Sequence, residues 1–274
     1  MKKIVTIALI MVMAFTVMPS QASAASKYIP KEGKHAYRSI EYMSRGVQKI
    51  GKYYYNYTNG LSRSTSYKKL GRFISKSTGE YVTNGKTVIY SKHSSSFTYI
   101  TIYSKGTKKK SKVRKLVKLK GAKLVGYYKG KIYYLTKDYS GDLKSFNLRT
   151  RKKATIEKNV GYASSSFGPR IAFIDAYDDT LSIYNIKTGK TFYSPVETES
   201  ICVTGKRVYY SVGKTLKSRN FKLKNAKKIH RFKGSVGGII PGTIGAVVLK
   251  NSYCYQYSYK SKKLRRISYA IAGY

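Results

Sequence analysis

The feature that most constrains the fold of this chain is a unit of about 40 residues that recurs along it. Each unit contains a glycine followed by an apolar or Tyr-rich run, and successive glycines lie 34 to 45 residues apart. A tight-turn residue between two apolar runs is what a β-hairpin requires, so the units predict a series of hairpins. The runs are GKYYY from Gly51, GKTVIY from Gly85, GKIYY from Gly130, GPRIAF from Gly168, GKRVYY from Gly205 and a weaker GAVVL from Gly245.

Three further segments accompany each glycine run. One precedes it, such as AKLVGYY before Gly130, and one follows it with a basic ending. A fourth follows the basic turn, as KATIE does in the same unit. One unit therefore predicts four short antiparallel strands, here called A, B, C and D in chain order. The clearest copies of the basic segment are LKSFNLRTRKK from Leu143, LSIYNIKTGKT from Leu181 and LKSRNFKLKNAKK from Leu216.

Six such units predict an all-β fold, a six-bladed β-propeller of four-stranded antiparallel blades. A four-stranded sheet of this length cannot bury both of its faces alone, whereas sheets packed side by side in a ring can. A β-sandwich with a coincidental period is the alternative fold. Because the first and last units are weakly patterned, seven blades, or five plus one, remain open as the blade count.

The unit GKIYYLTKDYSGDLKSFNL, which begins at Gly130, resembles the repeats of the TolB-like and YWTD-like six-bladed propellers. In those families an IYY strand is paired with a strand of the pattern G-x-L-x-x-x-N-L. The resemblance covers most of the chain and is strongest in the units of Gly130, Gly168 and Gly205. It implies an exported bacterial propeller. The chain has no Trp and no YWTD tetrapeptide, so the resemblance implies a fold and no particular ligand.

The N-terminus has the pattern of a secretory signal peptide, predicted over residues 1–24. Lys2 and Lys3 form its charged end, Ile4–Val17 its apolar stretch, and Ala22–Ala24 (ASA) its cleavage site. No cysteine stands at that site to carry a lipid anchor. The pattern predicts an exported protein, extracellular or associated with the cell wall, and no later run is long enough for a transmembrane segment.

Residues 25–45 are predicted to form a separate N-terminal segment, and residues 46–274 the propeller. We expect part of the segment to pair with the outer edge of the last blade and close the ring, because an unclosed ring would expose long sheet edges. Cys202 and Cys254 do not occupy equivalent places in the repeat. Two buried thiols are therefore favoured over a disulfide, which the export route would also allow.

The charge of the chain is extreme and unevenly distributed. With 55 Lys and Arg against 11 Asp and Glu, the formal net charge is +44. Every predicted C–D turn carries cations and no acid, whereas the B–C turns combine a few cations with Asp138, Asp142, Asp175, Asp178 and Asp179. Because A–B and C–D turns leave a propeller blade at the same end, this pattern predicts one strongly cationic face.

The cationic face is predicted to bind a polyanion, with an affinity that falls as the salt concentration rises. Lys outnumbers Arg there, which favours loose multivalent contact with a repeating polymer. The predicted partner is cell-wall teichoic acid, an acidic glycan or nucleic acid, with membrane-surface contact also open, and the protein is predicted to be a monomer. The predicted contact residues are Lys108, Lys109, Lys110, Lys112, Arg149, Arg151, Lys152, Lys153, Lys227, Lys228, Lys262, Lys263, Arg265 and Arg266.

Two other functions remain open from the sequence. One is a protein-interaction scaffold in the cell envelope. The other is a propeller hydrolase or Ca²⁺-binding protein that uses the B–C turn acids, with Asp175, Asp178 and Asp179 as candidate metal ligands. Asp in a hairpin turn more often caps the amides of that turn. No nucleophile elbow is present and the three histidines share no repeat position, so no catalytic residue and no cofactor are predicted.

Overall fold

The computed structural model describes residues 28–42, 47–67, 71–77, 79–136 and 141–267, and these residues form β-strands and turns without a helix. A short strand, β1 (Arg38–Ile40), comes first. The first predicted unit then contains β2 (Gln48–Ile50), β3 (Tyr53–Thr58), β4 (Gly60–Ser64) and β5 (Arg72–Ser75). The second contains β6 (Tyr81–Thr83), β7 (Thr87–His93), β8 (Tyr99–Gly106) and β9 (Val113–Lys120).

The remaining strands continue the same order. The third unit contains β10 (Ala122–Tyr128), β11 (Lys131–Thr136), β12 (Gly141–Asn147) and the beginning of β13 (Lys153–Phe167). The fourth contains the end of β13, β14 (Arg170–Asp175), β15 (Thr180–Asn185) and β16 (Lys190–Glu197). The fifth contains β17 (Ile201–Val203), β18 (Val208–Val212), β19 (Thr215–Arg219) and β20 (Lys227–Arg231). The sixth contains β21 (Gly238–Pro241), β22 (Gly245–Lys250), β23 (Tyr253–Ser258) and β24 (Leu264–Arg266).

Within each unit the strands pair antiparallel in chain order, which confirms the predicted A-B-C-D arrangement. The first, fifth and sixth units are separate four-stranded sheets. The other three are joined in a 12-stranded sheet, because β13 is long enough to serve two units and β1 links β6 to β13. The anchor glycines from Gly51 to Gly205 lie in the turns between strands A and B, whereas Gly245 begins strand B itself.

The apolar core is divided into clusters that lie between one unit and the next. Between the third and fourth units, for example, Tyr133 and Leu135 pack in one cluster with Ile171 and Phe173. Both faces of these sheets are therefore covered, and β11 and β14 each bury four consecutive side chains. This explains why the strands read as continuous apolar runs and do not alternate between apolar and polar residues.

The sixth unit packs against the first. The carbonyl oxygen of Val47 accepts hydrogen bonds from the amide of Thr243 (3.0 Å) and from its Oγ1 (2.9 Å). The same Oγ1 accepts a hydrogen bond from the amide of Lys49 at 2.9 Å. The buried side chain of Val47 also belongs to one cluster with Val247 and Cys254 of the sixth unit. Side-chain packing and a few hydrogen bonds thus join the last unit to the first.

The N-terminal segment does not lie where we expected it. Strand β1 pairs with β6, with Ser39 opposite Val82, and Arg38 lies opposite Phe167 at the end of β13. These partners are A strands of the second and fourth units. The expectation that this segment pairs with the outer edge of the last blade is therefore not met by residues 28–42. A position between inner strands satisfies both edges of β1, which an outer-edge position would not.

Other sequence expectations concern the two cysteines and the N-terminus. Cys202 and Cys254 are buried, and no disulfide joins them. Burial raises the pKa of the Cys202 thiol to about 12, so this thiol is unreactive at neutral pH. The predicted signal peptide lies outside the described residues. Within the described ranges, no helix has the length and apolar character needed to cross a membrane.

Candidate polyanion-binding face

Contacts between turns place the A–B and C–D turns at one end of the fold. Between neighbouring units, Nη2 of Arg72 donates a hydrogen bond to the carbonyl oxygen of Thr107 at 2.8 Å. At the opposite end, the amide of Ala176 in a B–C turn donates to the carbonyl oxygen of Asn159 at 3.0 Å. Within units, C–D turns donate backbone hydrogen bonds to A–B turns: Thr107 to Lys86 (2.9 Å), Leu148 to Gly130 (2.9 Å), Ile186 to Pro169 (2.8 Å) and Tyr259 to Ile244 (3.1 Å).

An asparagine at the end of strand C shapes several of the C–D turns. Oδ1 of Asn147 accepts hydrogen bonds from the amides of Arg149 (2.9 Å) and Thr150 (3.2 Å). Asn185 and Asn220 accept the equivalent bond from the amide two residues later, each at 3.1 Å. Such side chains close a turn on themselves and leave the following residues on the surface. The Asn at the end of each of these C strands therefore helps to present the cations.

The predicted contact residues are all exposed. They lie in the C–D turns or in the first residues of the D strands of the second, third, fifth and sixth units, and we call this set the cationic face. Glu32 also lies at this end, where its Oε1 accepts a hydrogen bond from the amide of Lys129 at 2.9 Å. The exposed set is Lys108, Lys109, Lys110, Lys112, Arg149, Arg151, Lys152, Lys153, Lys227, Lys228, Lys262, Lys263, Arg265 and Arg266.

Some arginines of the cationic face also make contacts within the protein. Nη1 of Arg151 donates to the carbonyl oxygen of Leu116 at 3.2 Å, and its guanidinium lies 4.6 Å from the centre of the Phe146 ring. The guanidinium of Arg266 lies 3.7 Å from the centre of the Tyr253 ring. Removing these arginines would alter packing as well as charge. The lysines are therefore the better positions at which to test the role of charge.

A groove of about 350 Å³ lies where the sixth unit meets the first. Its wall includes the rings of Tyr54 and Tyr67, whose centres are 5.9 Å apart, and the Nζ of Lys49 lies 4.9 Å from the centre of the Tyr54 ring. Aromatic rings beside several cations can contact a sugar ring and its phosphates together. Sequence reasoning placed two of these cations on the face but missed Lys49 and the two tyrosines, because only packing brings them together. The cations that line the groove are Lys49, Lys260, Lys263 and Arg265.

Hydrogen bonds from its own residues organise the acidic B–C turn of the fourth unit. Oδ1 of Asp175 accepts a hydrogen bond from the amide of Tyr177 at 2.9 Å. Oδ1 of Asp178 accepts bonds from the amide (3.0 Å) and the hydroxyl (2.6 Å) of Thr180, which lower the pKa of that carboxyl. Across the described ranges, no three His, Cys, Asp or Glu side chains cluster as a metal site would require. Asp175 and Asp178 thus show the local capping role common for Asp in turns.

Comparison with known proteins extends the description of the fold. No protein-family model matches the chain, and no curated protein matches its sequence. TolB from Acinetobacter baumannii matches in structure with a TM-score of 0.53 and 10% identity, over 90% of this chain and 66% of that chain. The fold is that of a TolB-like β-propeller. At this identity the likeness concerns the fold alone.

Two further solved structures match this propeller less well. An oligogalacturonate lyase in complex with manganese has a TM-score of 0.41 and 12% identity, over 67% of this chain and 62% of that chain. A nidogen/laminin complex has a TM-score of 0.46 and 12% identity, over 66% of this chain and 75% of that chain. The propeller spans slightly less than two thirds of the length of the lyase and of TolB.

Proposed function

We propose that this propeller is an exported, non-enzymatic module that binds an anionic polymer through its cationic face. The observation that carries the proposal is the exposure of all fourteen predicted cations, which lie in C–D turns or in the adjoining D-strand residues at one end of the fold. Like charges gathered in this way repel one another, and a polyanion would remove that repulsion. Teichoic acid, an acidic glycan and nucleic acid all present negative charges at short regular intervals. Cell-wall polymer is the partner that the predicted signal peptide favours.

We also propose that the six units close into a ring. The hydrogen bonds between Val47 and Thr243, and the apolar cluster around Val47, support this closure. A ring would place all the C–D turns around one rim, so that a flexible polymer could contact several of them at once. Contacts spread over several turns add their free energies through a high effective concentration, even when each one is weak.

The first experiment measures binding of the protein to purified anionic wall polymer and to DNA across a salt series. We expect the logarithm of the binding constant to fall steeply and linearly with the logarithm of salt concentration. Changing Lys108, Lys109 and Lys110 to Gln should flatten that slope by up to about 3, because each phosphate contact contributes about 1. Fluorescence anisotropy with labelled polymer reads this slope directly.

A matched control variant removes the same number of positive charges from the opposite end of the fold. Lys92 and Lys250 lie at the ends of the B strands β7 and β22, and Lys214 lies in the B–C turn after β18. All three are at the opposite end, and their change to Gln also removes three positive charges. If binding depends on the cationic face, this control variant keeps nearly the original slope. Equal losses in the two triple variants would mean that overall charge, and not this face, drives binding, and would overturn the proposal.

A protein-interaction scaffold is the second candidate, favoured by the likeness to the TolB propeller fold. An acidic protein partner would use the same cations but would add apolar contacts that salt does not screen. A complex with a protein partner that persists at high salt would favour the scaffold over the polymer-binding module. Weak polymer binding at low salt would point the same way.

A further inference from the structure

A second polar site lies at the end of the fold opposite the cationic face. There, a cavity of about 340 Å³ opens between the N-terminal segment and the inner strands of the second, third and fourth units. Strand β1 leads directly into it, so that Glu41 reaches the cavity from the N-terminal segment. Glu80, immediately before β6, and Lys123, in β10, line the same cavity. A chain with only 11 acids thus places two of them in one cavity.

The charged groups of this cavity are strongly perturbed by their surroundings. Burial raises the pKa of Glu41 to about 7, although the ammonium of Lys123 and a hydrogen bond from Ser39 (3.1 Å) oppose that shift. Burial lowers the pKa of Lys123 to about 8, against the attraction of Glu80 and Glu41. The carboxylate of Glu80 accepts a hydrogen bond from the Oγ of Ser91 at 2.6 Å. Perturbed ionisable groups that share a cavity are characteristic of functional sites.

Three tyrosine rings form another part of the wall. The rings of Tyr42 and Tyr57 lie 5.0 Å apart at an interplanar angle of 81°, and those of Tyr57 and Tyr81 lie 4.9 Å apart at 75°. Tyr57 and Tyr81 are buried, whereas Tyr42 is 55% exposed and stands at the rim. Tyrosine rings that line a cavity can contact an organic ammonium group through their electron-rich faces.

His93 also lines the cavity, but its Nδ1 is shielded from water and is therefore out of reach of a ligand there. The cavity thus offers two carboxylates and three tyrosine side chains to a single small molecule.

We propose that this cavity binds a compact organic cation that carries an alkylated ammonium group. Two carboxylates face one lysine among the described lining residues, so a ligand with one positive charge balances the site. The tyrosine faces favour an alkylated ammonium over a metal ion, which would require more oxygen ligands. This site is separate from the cationic face, and its occupancy does not depend on polymer binding.

Choline and its neutral isostere 3,3-dimethylbutan-1-ol test the proposal, because they have the same shape and differ in charge. Isothermal titration calorimetry should show that choline binds at least about tenfold more tightly than the alcohol. Since choline keeps its charge at every pH, its affinity should rise between pH 6 and 8, because Glu41 gains its negative charge and Lys123 begins to lose its positive charge in that range. Equal affinity for the two compounds, or no binding of choline, would overturn the proposal.

Two substitutions of charged residues should change the affinity for choline in opposite directions. Glu41→Gln should weaken choline binding about tenfold, whereas Lys123→Gln should strengthen it several-fold because a competing positive charge is removed. Asp142→Asn is the matched control, because Asp142 pairs with Lys144 at 3.0 Å outside the cavity. Tyr42→Ala tests the aromatic wall at an exposed residue if the Glu41 variant fails to fold, and it should also weaken binding. Weaker binding by the Lys123 variant would contradict the charge argument.

The same variants also separate this proposal from the polymer-binding proposal. Glu41 and Lys123 lie at the opposite end from the cationic face. Their substitution should therefore leave polymer affinity and its dependence on salt concentration unchanged. Loss of choline binding with intact polymer binding would leave the polymer proposal standing. The reverse result, with polymer binding absent and choline binding present, would support the cavity proposal and overturn the polymer proposal.

Discussion

Removal of residues 28–42 is expected to lower the melting temperature of the propeller by more than about 10 °C. Tyr37 and Ile40 are 1% and 4% exposed, and burial of such a side chain contributes roughly 1.5–3 kcal/mol. The deletion also removes β1, which pairs with one edge of β6 and with the end of β13. Each kcal/mol shifts the melting temperature of a domain of this size by about 2–4 °C. Differential scanning calorimetry measures the change.

Single substitutions show whether the loss of stability comes from packing of the N-terminal segment between the inner strands. Tyr37→Ala should reproduce a large part of it, because the Tyr37 ring also packs edge-on against that of Tyr127, with their centres 4.7 Å apart. Tyr177→Ala is the control, since Tyr177 is 76% exposed and its loss should change the melting temperature little. An unchanged melting temperature after deletion of the segment would contradict its placement between the inner strands.

The second large effect is a loss of stability as the pH rises from about 5 to 7.5. The pKa of Glu41 rises from its ordinary 4.5 to about 7 on folding, so the folded state holds this proton more tightly than the unfolded state. The resulting stabilisation is complete below pH 4.5 and is lost as the pH rises through 7. A shift of this size corresponds to at most about 3 kcal/mol, or a melting temperature lower by up to about 10 °C.

Other groups that face Glu41 must be separated from it. They are Lys123 in β10, Glu80 before β6, His93 in β7 and Cys202 in β17. Thermal melts of the parent and of Glu41→Gln, recorded at the same pH values, isolate the contribution of Glu41 because the remaining groups are shared. The variant should be less sensitive to pH in this window. Parallel pH profiles for the two proteins would show that Glu41 does not carry the effect.

The N-terminal segment connects the two proposed sites physically. Glu32 contacts the backbone of Lys129 at the cationic face, and nine residues later Glu41 enters the cavity at the opposite end. Between them Arg38 is buried, donates a hydrogen bond to the carbonyl oxygen of Lys49 at 3.0 Å and lies 4.3 Å from the centre of the Phe167 ring. The segment therefore runs through the fold from one end to the other.

Local sequence patterns predicted a large part of this protein. The recurring glycines and apolar runs indicated four-stranded units, and the strands of each unit pair in the predicted order. The basic segments that follow the C strands marked turns whose lysines are exposed. These features could be predicted because a hairpin depends on residues close in sequence, whose turn chemistry and periodicity are visible in the chain itself.

Only the tertiary structure decided which distant segments meet. The three residues of β1 carry no periodic signal, and their pairing with β6 and β13 depends on two sheet edges that lie far along the chain. Tertiary contacts between distant segments also pack Val47 against the sixth unit. They bring Glu41, Glu80 and Lys123 together in one cavity in the same way. Contacts of this kind arise from the closing of long loops and from the shapes of complete sheets. No local pattern of residues encodes them.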